Sequence, residues 1–189
     1  MKFLKYLVLF LSASLFSVFT IAKPTKIVYP QVTGVTCVET WLCTDNLDRV
    51  AEARALYEKA LQNVEVKLSK FVNRPKVVFC SSQTCFSDFG FKKPAAASIA
   101  GFGIVVAPRG WTQYYVEHEM IHQWQSENFG FITMLMTPEW LKEGMAYSVS
   151  DDPREQLDEP FHSFRQEYET KFQQQRGLEL KAALEQVLH

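Results

Sequence analysis

Apolar residues recur along this chain with two different periods, and the switches between them mark out its elements. From about Asp45 to Val72 the positions Leu47, Val50, Ala53, Tyr57, Leu61, Val64, Leu68 and Phe71 fall in steps of three and four, which builds one apolar helix face. Asn73, Arg74 and Pro75 end that pattern. Lys76–Cys80 (KVVFC) and Gly101–Ala107 (GFGIVVA) are short β-branched runs that predict strands, and the stretch between them, with Gly90 and three alanines, reads as an irregular loop. The helical period returns at Trp111 and Thr112 and holds to about Ser126, followed by a loop around Gly130. Thr137 before Pro138 and Glu139 is a helix start, with Thr137 as N-cap and the acid at the positive end, so a helix is predicted from Pro138 to about Val149. Beyond the acidic turn at Asp151 to Pro153 the chain predicts one or two further helices, interrupted near Gly177.

Strands that precede helices predict the α+β class: a single domain in which a small, mostly antiparallel sheet packs on the helix that starts near Trp111, with a helical C-terminal part. A chain of 189 residues, 47% of them apolar, suits one core of that kind.

The first residues change the picture of where this domain works. Lys2 and Lys5 precede the uncharged run Tyr6–Ala22, which reads as a secretory signal peptide or an uncleaved membrane anchor at 1–22, leaving 23–189 as the domain. The expected location is therefore outside the cytoplasm, periplasmic or extracellular, or held at an inner membrane by that anchor. The four cysteines all follow this run. In an oxidising compartment their spacing favours disulfides Cys37–Cys43 and Cys80–Cys85 over a four-cysteine zinc site, whose paired ligands stand about two to four residues apart. A formal net charge of −1 without a basic stripe argues against nucleic acid or an anionic membrane surface as partner.

The chemistry is concentrated in His118, Glu119, Met120, Ile121 and His122, an H-E-x-x-H pattern inside the predicted helix. Residues four apart share a helix face, so both imidazoles can address one ion while Glu119 reaches a water beside it. Val116, Met120, Ile121 and Trp124 make the surrounding helix apolar, and a buried His-Glu-His group needs a partner. A catalytic zinc needs a third protein ligand. A metzincin-type third histidine is excluded, because Gln125 and Asn128 stand where that motif needs glycine and histidine. Two carboxylates remain on the next helix. Glu143 sits inside it next to the small residues Gly144 and Ala146, which would let two helices approach closely, whereas Glu139 lies in the first turn, where the helix dipole already explains it.

The segments His118–Trp124 (HEMIHQW) and Trp140–Ala146 (WLKEGMA) resemble the gluzincin zinc metallopeptidases, especially those of the aminopeptidase N type, with their pattern H-E-x-x-H…W-L-x-E-G-x-A. The resemblance runs from the strand at Gly101 to about Asp152. The G-x-M-E-N exopeptidase segment of that type has no counterpart before His118, so the likeness points to a compact, peptidase-MA-like protein. It implies a zincin-like fold, one zinc ion on His118, His122 and Glu143, Glu119 as general base, and a peptide or protein as substrate. It also implies an electrophile for the developing oxyanion, with His162 ranked first and Tyr147 and Tyr168 beside it. By the same likeness the strand Gly101–Ala107 forms the upper rim of the cleft. Two readings compete with a peptidase: a zincin-fold protein that binds zinc or an envelope partner without turnover, and a disulfide-stapled binding module in which the histidines are structural.

Overall fold

The chain's shortest apolar runs become the middle of its sheet. In the computed structural model, which describes residues 23–172, 175 and 177–188, five strands are formed: β1 (Thr36–Cys37), β2 (Leu42–Thr44), β3 (Val77–Phe79), β4 (Ala96–Ile99) and β5 (Gly103–Val106). The expected signal or anchor at 1–22 lies outside the described residues. The strand order is β1-β2-β3-β5-β4, with β2–β3 and β3–β5 parallel and β1–β2 and β4–β5 antiparallel. The sheet is therefore mixed, not mostly antiparallel. Helix α1 (Val50–Lys67) returns the chain between β2 and β3, and such a crossover places its two strands side by side in the same direction.

Alternation along the strands separates two apolar layers. Leu42, Val77, Phe79, Ile104 and Val106 join a core with Tyr57 and Val64 of α1 and with Met120, Ile121 and Trp124. Cys43, Val78, Cys80, Val105 and Ala107 face the other way, toward Ile27, Phe86 and Phe89. Phe86 belongs to α2 (Gln83–Asp88). Both predicted disulfides, Cys37–Cys43 and Cys80–Cys85, are formed.

The helices follow the apolar period closely, and depart from it at their ends. A 3-10 turn at Leu47–Arg49, capped by Asn46, leads into α1, which stops at Lys67, well short of Val72. The backbone amides of Phe71, Val72 and Asn73 are instead taken up by the carboxylates of Glu65 and Glu127. Helix α3 (Gln113–Phe129) carries the H-E-x-x-H residues. Gly130, at φ +85°, breaks it, and the chain then forms a short helix α4 (Phe131–Met136) where a loop is expected. Thr137 donates its hydroxyl to the Thr133 carbonyl at 2.8 Å, closing α4, so Pro138 and not Thr137 precedes the first turn of α5 (Glu139–Val149). Helices α6 (Phe161–Phe172) and α7 (Gly177–Leu188) complete the described chain.

Gly144 does not serve the purpose its position in the sequence suggests. A Cβ there would run into the Phe164 carbonyl and come within 2.8 Å of the Tyr168 Cβ, so the missing side chain admits α6, not α3. Tyr168 is accordingly a buried core residue, in ring contact with Phe172.

Candidate metal centre

Helix α3 is anchored on its far side before it presents anything to a metal. Val116, Met120, Ile121 and Trp124 are fully buried, as their apolar character predicts, and Trp124 donates its indole N–H to the Ser69 hydroxyl at 3.0 Å. Glu117 is buried too, 1% exposed, and its Oε1 accepts from Asn63 at 2.6 Å and from Gln113 at 2.8 Å, with the Lys67 ammonium 3.5 Å from Oε2. Turning that face inward leaves His118 and His122 facing Glu143 of α5 and Glu119 facing Ser98 of β4.

Three ligand atoms then converge. His118 Nε2 and His122 Nε2 are 3.2 Å apart, and the Glu143 carboxylate stands 3.4 Å from each of them. Their side chains are 11%, 18% and 22% exposed, so the group is sheltered yet open to solvent on one side. These residues could hold a metal ion. The donor set fits one: two imidazoles and one carboxylate, all within 4.8 Å of one another, are too few to close a coordination shell and leave room for a water. Glu139 is not part of it, since it points outward and pairs with Lys142 at 2.7 Å.

Gln125 decides which nitrogen of His122 faces the site. Its amide nitrogen donates to the Lys142 carbonyl at 3.1 Å and lies 3.4 Å from Met145 Sδ, so its oxygen is the atom left to accept from His122 Nδ1 at 2.9 Å. Nε2 is thereby turned to the ligand cluster. The charges are strongly coupled. Burial pushes the Glu143 carboxyl up, but hydrogen bonds from His118 and His122 outweigh it and hold the group well below the usual carboxylate range. Burial opposes the charge on His122, yet the hydrogen bond and charge of Glu143 prevail and raise its pKa to about 9. For Glu119, burial and the nearby Glu143 push the carboxyl up against the opposing pull of both histidines.

The sheet edge reaches the same place. Ile104 directs its N–H at the Lys76 carbonyl on the β3 side, so Ser98, opposite it, has its own N–H on the outer edge of β4, where it donates to the Glu119 carboxylate. Gln123 secures this edge to α3: its amide nitrogen donates to the Ser98 hydroxyl and to the carbonyls of Ile99 and Gly103. The strand at the rim is thus β4, while β5, within the expected rim strand Gly101–Ala107, lies inside the sheet between β3 and β4.

Of the expected electrophiles, Tyr147 lies against the ligands, its ring centroid 4.4 Å from that of His118. Burial, reinforced by the charge of Glu143, lifts its phenol to about 12. His162 is placed differently: its Nε2 meets Gln166 of its own helix at 3.1 Å, and the preceding Phe161 takes the place against Tyr147. Arg154, fixed by Asp152, lies over the rings of Tyr114, Tyr115 and Tyr147. Comparison with protein-family models, with characterised proteins and with solved structures finds no match to this chain.

Proposed function

We propose that this chain is an exported, zinc-dependent peptidase with a zincin-like fold, in which His118, His122 and Glu143 hold the ion and Glu119 is the general base. The observation that carries the reading is the position of Glu119, held by the edge amide of β4 next to a converged His-His-Glu donor set. Zinc is favoured over harder or softer ions by the mixed nitrogen and oxygen donors with a position left open. When bound, it would polarise the scissile carbonyl and lower the pKa of a coordinated water to about 7.

The rest is the work of the chain's own residues. Glu119 takes a proton as water oxygen bonds to the carbonyl carbon, then delivers it to the nitrogen as the C–N bond breaks. Tyr147, protonated at any physiological pH, can donate its O–H to the oxyanion. Apart from the Ser98 N–H, which Glu119 takes, the outer edge of β4 offers backbone groups that an extended polypeptide can pair with. Two disulfides support the export reading, since such bonds persist in oxidising compartments.

Metal analysis and peptide hydrolysis on the same preparations test this. Glu143→Ala and His122→Ala should lose bound zinc, whereas Glu119→Gln should keep it and lose hydrolysis by about 10²–10⁴-fold. Full zinc occupancy in Glu143→Ala would end the assignment, and zinc binding without any Glu119-dependent turnover would leave a non-catalytic metal protein.

A further inference from the structure

Beside His122 lies a hollow of about 200 Å³ that is lined by neither Tyr147 nor His118. It is larger than an apolar cavity of about 150 Å³ that takes up benzene. Phe131, Met134 and Leu135 of α4 form its outer wall, and Ala100, Gln125 and Ser126 line the inner one. Its mouth is shared with the ligands, because His122 and Glu143 border it directly.

What matters is how little polarity this lining offers a guest. Gln125 spends its oxygen on His122 and its nitrogen on the Lys142 carbonyl. Ser126 donates its hydroxyl to the His122 carbonyl at 2.9 Å, the Ser98 hydroxyl accepts from Gln123, and the Lys142 ammonium is held by Glu139. Every polar side chain around the hollow other than the metal ligands thus already has a partner inside the protein. A polar guest would meet side chains already engaged inside the protein, with only the spare capacity of the Ser98 and Ser126 hydroxyls and the Lys142 ammonium left to it, while an apolar one would cover Phe131 and Leu135, which are 49% and 67% exposed.

We propose that this hollow is the specificity pocket of the site, selecting a bulky apolar side chain such as Leu or Phe next to the bond to be cut. The proposal rests on the peptidase reading, and it names the substrate class as extended polypeptide that exposes such residues. Folded proteins bury most of them. Pairing along the edge of β4 demands the same extended chain. Unfolded or unstructured segments satisfy both conditions together.

The test uses the zinc-loaded protein and terminally blocked model peptides that differ only in the two residues flanking a central bond, each being Leu, Phe, Ala, Asn or Asp. Leu and Phe at one of the two positions should raise kcat/KM at least about 10-fold over Ala and further over Asp. Leu135→Asp, at an exposed position, should abolish that preference while zinc content and thermal stability stay as in the parent. Equal cleavage of all peptides, or a preference that survives both Leu135→Asp and Phe131→Ser, would overturn the proposal. Equilibrium binding of the same peptides to zinc-loaded Glu119→Gln reads the pocket without turnover. If no peptide is cut but Leu and Phe peptides bind in a Leu135-dependent way, the pocket stands and the peptidase reading falls. If binding shows no such preference either, the pocket proposal falls as well.

Discussion

An imidazole offers a metal one nitrogen only when the other keeps its proton, and at His122 Gln125 makes that choice through the 2.9 Å contact to Nδ1. Gln125→Ala removes this orienting bond and the donor to the Lys142 carbonyl, so zinc affinity measured by chelator competition should fall by about 10–100-fold. The same cluster sets a pH dependence in protein stripped of metal. Glu143, lowered from 4.5, contributes stability in full above that value and loses it as pH falls through its depressed pKa. His122, raised from 6.5 to about 9, contributes in full below 6.5 and loses it as pH rises through about 9. For this pair the chelator-treated protein should show its highest Tm between 4.5 and 6.5 and decline on both sides. Metal uptake must expel the His122 proton, so zinc affinity should rise with pH and level off above about 9. That His118 and His122 share a face was legible in the sequence because helix periodicity fixes it, whereas Glu143 on the next helix came from the resemblance carried by Trp140–Ala146. Gln125 and Gln123 were not legible, since their partners come from α5 and from the β4–β5 turn, which no local pattern joins to α3.

Among the elements, α5 depends most on a single atom that is absent. Gly144 lets the Phe164 carbonyl and Tyr168 of α6 lie directly on α5, so Gly144→Ala overpacks that seam and should destabilise the protein by about 1–3 kcal/mol in denaturant unfolding. Because Glu143 is the adjacent residue, zinc affinity should fall in the same variant. The period of three to four residues made α1, α3 and α5 readable to within a turn or so. It could not show that α1 stops at Lys67, because the groups that cap the next segment include Glu127, far along the chain. Strand β4, with its sequence Ala-Ala-Ser-Ile, has none of the β-branched density that announces a strand, and it exists because β5 pairs with it. Helix α4 was hidden for a similar reason, lying where Gly130 signals a loop.

At the scale of the whole molecule, the sheet separates two layers with different work. One layer carries α1, α3 and α5 and therefore the ligands, and the other is packed around the two disulfides. Each bridge closes a short loop, of sequence separation 6 and 5, for which chain entropy gives roughly 2 kcal/mol apiece. Reduction should therefore lower the denaturation midpoint, and peptide mapping without reductant should recover Cys37 joined to Cys43 and Cys80 to Cys85. Because the disulfides sit behind the sheet, zinc content should survive mild reduction at temperatures where the fold persists. The mixed strand order was not legible, as it depends on which way each crossover returns. It leaves β4 with one unpaired edge, and that edge has a second consequence. A row of open backbone groups recruits any extended chain, including partly unfolded copies of the same protein, and so invites aggregation. Here only Ala96 and Ser98 turn backbone groups outward, and the Ser98 N–H is already taken by Glu119, too little to nucleate a growing stack of strands. An edge this short and this sparsely furnished is a weak template for self-association.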